Sequence, residues 1–498
     1  MAKDLLLNMN KAIFIQPTGN LNKANVFIRT SSEPEPLSIG YLQAALEPIN
    51  VASDLYYGKI DENELFQKLL SDSIIAVCFS VYTYKYSYCL ELAKKIKTAC
   101  IELNKEAPVI IFGGYHPSAI PETVIKEKPV DIVVKGEGEY ILQDVIKNII
   151  QKKDLSSVNG IWYKDSNGTT LKTNNRERIE DIDELPLPKR HLKFISTSKQ
   201  YQIAYPAPAQ QKGVAQVLYS RGCPYSCVFC PSENMWSKKV FWRNPKNVLD
   251  EIELLHNEYG TNLVFFHDLT FNLDKKKTFD ICNEFIKRDL PVNWFGLFRL
   301  DNFDNDMLYA LKEAKCIKIN VGIETDNTEA DKLKGDFSIS KDDYYKILNT
   351  ADEIGLIIKA FLIIGFPDDT KEKIRNYNNF LRTIPIDEIG VSFITPFPGT
   401  RIWNDYHKNF LSKDYDFREF TIENPVIDHP TLTKQQLLDL RLEIVQNFYL
   451  DTVYQERVLG KIAKYTHLQN SYFEYFKFLE SNGVFDNNQL TDIFKEIL

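Results

Sequence analysis

The chain has no apolar run near the ~20 residues that cross a bilayer, so no membrane-spanning helix is expected. It also lacks a positive excess: 60 Lys and Arg against 68 Asp and Glu give a net charge of -8. Nucleic acid is therefore not expected as the main partner, because phosphate binding needs a basic surface. No leader is expected, since Met1-Ala2-Lys3-Asp4 runs into a leucine stretch too short and too poorly flanked for a signal peptide. The cytoplasm is the expected compartment. No Ser-His-Asp set or close carboxylate pair is legible, which argues against acid-base hydrolysis. Cysteine is sparse, with eight in 498 residues. Five of them, Cys78, Cys89, Cys100, Cys282 and Cys316, lie scattered in apolar or helical settings, where a thiol packs as a small hydrophobe. What remains is ordinary for a globular protein, 44% hydrophobic and 26% charged, and long enough for two or three domains.

The other three cysteines, Cys223, Cys227 and Cys230, share one short loop, Ser-Arg-Gly-Cys-Pro-Tyr-Ser-Cys-Val-Phe-Cys. Spacings of three residues and then two let one turn of backbone hold an iron-sulfur cube by three corners and leave the fourth iron open. An open metal position binds and activates a substrate, whereas a fully ligated one mainly passes electrons. A structural zinc site is the alternative, but no fourth Cys or His is near in sequence; His256 and His267 lie well downstream. An odd trio in a chain without secretory marks argues against disulfides.

From Lys11 to about Gln151, apolar strands alternate with helical patterns, which predicts a parallel sheet wrapped by helices. Its five strands are read at Ala12 to Ile15, Val51 to Tyr56, Ile74 to Ser80, Val109 to Phe112 and Asp131 to Val134. Ligands of such flavodoxin-like (Rossmann-type) domains bind beyond the carboxyl ends of the strands. A hairpin is predicted next, from Ile161 to Tyr163 and Thr170 to Lys172 around Asn167-Gly168. Pro186 and Pro188 then mark an extended linker. A second alternation predicts six barrel strands, at Val217 to Ser220, Leu263 to His267, Val292 to Leu297, Ile317 to Ile323, Ile357 to Ile364 and Ile389 to Phe393. In barrels, catalytic groups gather at the carboxyl ends of strands. The remainder reads as helical, with Thr433 and Gln436 as a capping box and an aromatic stripe read as core.

The cysteine spacing, with Arg221-Gly222 before it, Pro224 and Tyr225 inside it and Phe229 ahead of the last thiol, resembles the radical S-adenosylmethionine (SAM) superfamily. The resemblance implies a 4Fe-4S cluster on Cys223, Cys227 and Cys230 and a partial (β/α)6 TIM barrel. It also implies SAM contacts at Phe229, Asp268, Glu324, Gly365 and Pro367, the last three lying in Gly322-Ile323-Glu324 and Gly365-Phe366-Pro367. Asp268 stands where many relatives carry Gly-Gly-Glu, which this chain lacks. The first domain resembles the cobalamin-binding domain of one radical SAM subgroup. Its implied cofactor contacts are Ser38 and Gly40 in Pro36-Leu-Ser-Ile-Gly40, Ser80 and Tyr82 after the third strand, Gly113, Gly114 and His116, and Gly136, Glu137, Gly138 and Glu139. No Asp-x-His-x-x-Gly is present, so no histidine of that motif would ligate cobalt from below; Tyr82 or Tyr84 would face that side.

The α/β organisation expected is a cobalamin-binding-like domain over 1–155, hairpin and linker over 156–210, a radical SAM barrel over 211–404 and a mainly helical region over 405–498, which by resemblance caps the barrel. The activity implied is methylation of an unactivated carbon of a metabolite or peptide, with a 5'-deoxyadenosyl radical abstracting hydrogen and methylcobalamin donating the methyl group. Radical rearrangement, cyclisation or oxidation without methyl transfer is the alternative, and a non-catalytic iron-sulfur sensor a third. An electron donor such as flavodoxin or ferredoxin would reduce the cluster.

Overall fold

The computed structural model describes residues 10–17, 35–71, 73–191, 214–324, 339–412, 414–486 and 488–494. The first sheet contains β1 (Lys11–Pro17), β2 (Ala52–Gly58), β3 (Ile74–Ser80), β4 (Val109–Gly113) and β5 (Ile132–Val134), parallel in the order 2-1-3-4-5. Alternate residues of each strand enter two separate cores: Ile13, Val77, Phe79 and Phe112 on one face, Phe14, Ala76, Cys78 and Ile111 on the other. Such double-sided burial is why these strands read as nearly continuous apolar runs. The strand order reverses between β1 and β3, and their carboxyl ends open the crevice where doubly wound sheets hold ligands.

The hairpin, β6 (Ile161–Lys164) and β7 (Thr170–Lys172), forms as expected but is not a separate connector. It pairs antiparallel with β5 and extends the first sheet to seven strands. The linker is likewise no loose spacer. Arg190 pairs with Glu35 at 2.9 Å and with Glu251, Arg243 pairs with Asp183 at 3.3 Å, and Lys189 N donates to Gly40 O at 3.0 Å. Both domains are thereby tied to the intervening chain.

The barrel opens with β8 (Val214–Val217), earlier than the expected 217–220. Its chain then leaves into β9 (Ser220–Arg221), which pairs antiparallel with β10 (Phe241–Trp242). Five more strands follow: β11 (Leu263–Phe266), β12 (Asn293–Phe298), β13 (Cys316–Glu324), β14 (Ile357–Ile364) and β15 (Glu388–Phe393). They stand beside β8 in sequence order, every neighbour parallel. Asn244, Asp274, Asp304, Ser340 and Thr370 each cap the next barrel helix through a side-chain acceptor.

The helix Lys434–Tyr449 starts on the expected capping box, and its apolar face joins the barrel core. Two further helices, Thr452–Lys464 and Gln469–Ser481, close the amino-terminal end of the barrel, away from the cysteine loop. There Asp387, just ahead of β15, accepts from Tyr472 Oη at 2.6 Å, Lys461 at 2.7 Å and Arg457 at 3.0 Å. The aromatic stripe is core, as read. Within the same 405–498 region, the 417–434 segment reaches the first domain, where its Phe417 packs on Tyr86 and His116.

Candidate active site

The cysteine loop crosses the carboxyl-terminal rim of the barrel and is pinned on both sides. On one side Tyr225 lies under the Arg299 guanidinium, 3.5 Å from ring centroid to Cζ, and its hydroxyl meets Asn302 Oδ1 at 3.0 Å. Arg299 is itself fixed by Asp301, at 2.9 and 2.6 Å. On the other side Val228 and Phe229 pack on Ile363, Phe366, Ile394 and Ile402. The three thiols of the loop are partly exposed and form no disulfide. Burial raises the Cys223 thiol, while the hydroxyl of Thr270 and the charge of Arg299 oppose that shift. Among the described residues no three His, Cys, Asp or Glu side chains converge as ligands of a single ion. The three thiols share one rim, and Cys230 Sγ lies 3.1 Å from Ser232 Oγ.

Two features shape the loop's base. Gly222 has φ +115°, and a Cβ on it would stand 2.1 Å from Lys239 O. Replacing Gly222 by Ala is expected to force the loop off its base, combining backbone strain of about 1–3 kcal/mol with that clash. Iron content of anaerobically purified protein should fall sharply while far-ultraviolet circular dichroism is unchanged. The second feature is Asp268. Its carboxylate accepts from Tyr219 N at 3.0 Å and from Ser220 N and Oγ, both at 2.5 Å, and burial pushes its pKa up to about 6. Asp268 is one of the SAM contacts that the resemblance implies. Both its oxygens accept from the turn between barrel strand and cysteine loop.

The other SAM candidates sit on the same rim. Glu324 ends β13 and registers with Leu362 on β14; its side chain lies outside the described part. Gly365 has φ +84°, but its missing side chain faces Phe393 and Leu437, in ordinary contact at 3.6 Å or more. The positive dihedral is what calls for glycine there. Asp369, which no sequence pattern marked, takes the backbone donors of Gly365 at 2.7 Å and Phe366 at 3.0 Å, and half-buried Pro367 extends that turn.

Beyond the carboxyl ends of the first sheet lies a cleft of about 850 Å³, partly open to solvent. Nine of the eleven expected cobalamin contacts line it: Ser38, Ser80, Tyr82, Gly113, Gly114, Gly136, Glu137, Gly138 and Glu139. The floor between strands is apolar, with Phe14, Phe79, Ile111 and Leu142. Gly114 and Gly138 leave no room for a side chain, with Val81 backbone at 3.0 Å and Leu42 at 2.9 Å from a would-be Cβ.

Two candidates depart from expectation. Gly40 faces the linker, where a Cβ would meet Lys189 O at 2.6 Å. His116 is neither in the cleft nor solvated. It is 1% exposed, with Nδ1 3.2 Å from Thr83 Oγ1 and its ring 4.2 Å from that of Tyr86, and burial lowers its pKa to about 3, so it is neutral. The Glu137 and Glu139 carboxylates, although at the cleft, are turned into ion pairs with arginines outside it.

The cleft's remaining wall was illegible in sequence. It is Met235 and Trp236, from the helix Ser232–Trp236 that starts two residues after Cys230. Trp236 Nε1 donates to Tyr115 Oη at 3.0 Å, and Tyr115 stacks on Tyr82 at 5.9 Å. Tyr82 and Tyr115 also line a second space of about 1030 Å³, with Tyr84, Pro231, Phe397, Phe420 and Glu423. That chamber is mainly aromatic and aliphatic, and Glu423 is the one carboxylate among the described residues lining it. Arg441 holds Glu423 at 2.9 Å.

Residues 217–381 match the family model described as Radical SAM superfamily, and residues 26–146 match the B12 binding domain. An uncharacterized methyltransferase of Pyrococcus horikoshii is 29% identical over 83% of this chain and 88% of its own length. The anaerobic magnesium-protoporphyrin IX monomethyl ester cyclase of Rubrivivax gelatinosus is 24% identical over 83% of this chain and 73% of its own. Among solved structures, the radical SAM methyltransferase TsrM of Kitasatospora setae, with cobalamin and a 4Fe-4S cluster bound, superposes with a TM-score of 0.66. It is 17% identical and covers 95% of this chain and 99% of that one, a likeness of fold.

Proposed function

We propose that this chain, a member of the radical SAM superfamily with a B12-binding domain, methylates an unactivated carbon of an apolar metabolite or peptide. The carrying observation is the shared element: the helix that follows Cys230 supplies Met235 and Trp236 to the B12-type cleft. A radical source and a methyl source held there would be neighbours by construction of the chain. When bound, the cluster and SAM would supply radical chemistry at carbon, and cobalamin a methyl group.

The protein's part is to bind, orient and exclude water. Cys223, Cys227 and Cys230 would hold the cluster. Glu324, Phe229 and the Gly365–Pro367 turn would border SAM. Ser38, Ser80, Tyr82 and the backbone at Gly113, Gly114, Gly136 and Gly138 would seat cobalamin in the 850 Å³ cleft. The 1030 Å³ chamber beside Pro231 would take the substrate, its apolar wall favouring an uncharged face. A flavodoxin- or ferredoxin-like donor and a cytoplasmic setting complete the proposal.

The test is anaerobic reconstitution with cobalamin and SAM deuterated at its methyl group, with mass spectrometry of candidate apolar substrates. Appearance of 5'-deoxyadenosine together with a substrate heavier by one deuterated methyl group is the expected result. A second reading, radical cyclisation or oxidation without methyl transfer, draws on the similarity to the cyclase. It would give 5'-deoxyadenosine and no deuterium in the product. Absence of any SAM cleavage would leave only a sensor.

A further inference from the structure

Glu137 and Glu139 were expected to touch the cofactor, yet their carboxylates point into the seam between domains. Arg221, two residues before Cys223, donates to Glu137 Oε1 at 3.2 Å and pairs with Glu139 at 2.8 Å. Its side chain is 2% exposed and lies over the Tyr41 ring at 4.8 Å. Arg178, from the chain between the domains, pairs with the other Glu137 oxygen at 2.6 Å. The same guanidinium donates to Trp236 O, to Lys239 O at 3.2 Å and to Arg221 O at 3.4 Å. Two arginines and two glutamates thus balance in charge and join three pieces: the cleft lip at 136–139, the interdomain chain, and both flanks of the cysteine loop.

We propose that Arg221, with Glu139 and Glu137, is a positioning device that sets the separation of the B12-type cleft from the cysteine loop. It does so without touching either cofactor. The chemistry asks for this. A radical centre must meet a methyl donor held by a different domain, and a misplacement near 1 Å costs about 10²-fold in rate. A buried planar guanidinium whose two terminal nitrogens bridge two carboxylates fixes angle as well as distance, which a lysine's point charge does not. The inference rests on reading the cleft as the cobalamin site.

The test compares Arg221→Lys and Glu139→Gln with the parent. Three readouts are taken: iron and cobalamin per chain, dipolar broadening of the cob(II)alamin EPR signal by the reduced cluster, and hydrogen exchange of the cofactor-free protein at 136–139 and 220–223. Both variants should keep iron and cobalamin, lose much of the parent's dipolar broadening, exchange faster at both segments, and form about 10²-fold less methylated product per 5'-deoxyadenosine. Should either single variant fail to fold, Arg221→Met/Glu139→Gln removes the pair without stranding a charge and leaves Arg178 with Glu137; the same readouts apply. Broadening and exchange identical to the parent would overturn the proposal. So would cobalamin loss with unchanged broadening in the loaded fraction, because that would make Glu139 a cofactor contact. A parent that cleaves SAM but methylates nothing would defeat the methyltransferase reading alone, since exchange and broadening need no turnover.

Discussion

Replacing Cys227 by alanine is expected to strip most iron from anaerobically purified protein and to reduce 5'-deoxyadenosine formation to background, with the fold intact. A cube held by three thiolates loses a third of its anchorage with any one of them. The thiol is partly exposed and belongs to no buried cluster. Its loss should therefore shift stability by no more than about 0.5 kcal/mol. Cys316→Ser supplies the opposite case. Cys316 is fully buried among barrel core residues, and burial pushes its thiol up to about 12. That variant should keep its iron and lose stability, measured as an earlier denaturant midpoint. A Cys227→Ala protein that still carries a full cluster and cleaves SAM would remove the basis of the assignment.

The largest effect on stability is expected inside the barrel. Lys318 on β13 donates to both oxygens of Glu388 on β15, at 2.7 and 2.8 Å, and each side chain is 1% exposed. Lys359 on β14 stands 3.6 Å from the same carboxylate. Removing one member of a buried pair costs about 3–5 kcal/mol, because the survivor stays uncompensated. Glu388→Met should lie at the upper end, since it takes the shared carboxylate from both Lys318 and Lys359. Lys318→Met should lie at the lower end, since Lys359 still meets Glu388. The double variant should be more stable than Glu388→Met alone. Equal costs for the two single variants would show that the pair does not carry the barrel's interior as described.

The pair also has a pH signature. Burial, the dominant cause, lowers Lys318 from 10.5 to about 7, against the attraction of Glu388. The native state then binds fewer protons than the unfolded chain between those values, so this contribution to stability rises with pH across that window. The parent minus Lys318→Met difference should grow by no more than about 1.4 kcal/mol per pH unit there. A difference that is flat with pH would mean that Lys318 titrates alike in both states.

Strand and helix alternation was readable because parallel strands buried on both faces must be nearly all apolar, and helices between them must be amphipathic and capped. Boundaries shifted where pairing decided them. Val217 closes β8 instead of opening the barrel, because 220–221 pairs with 241–242, a partner some twenty residues downstream that no local pattern announces. Glycines were legible as special positions, but not their reasons. Gly114 makes room, Gly365 supplies a dihedral, and Gly40 faces the linker. Arg299, Asp369, Met235 and Trp236 escaped notice because their importance lies in what they touch, not in a spacing.

By itself the sequence determined the chemistry that a single loop can carry: three thiols at spacings of three and two, on a chain of alternating strands and helices, require no distant contact to be recognised. Only the tertiary structure decided where charges point. Asp268, Glu137 and Glu139 look like ligands to a cofactor in one dimension, yet folding turns all three into fasteners. The physical reason is that a buried carboxylate must find donors wherever the fold brings them, and those donors, Ser220, Arg178 and Arg221, come from segments between 41 and 84 positions away.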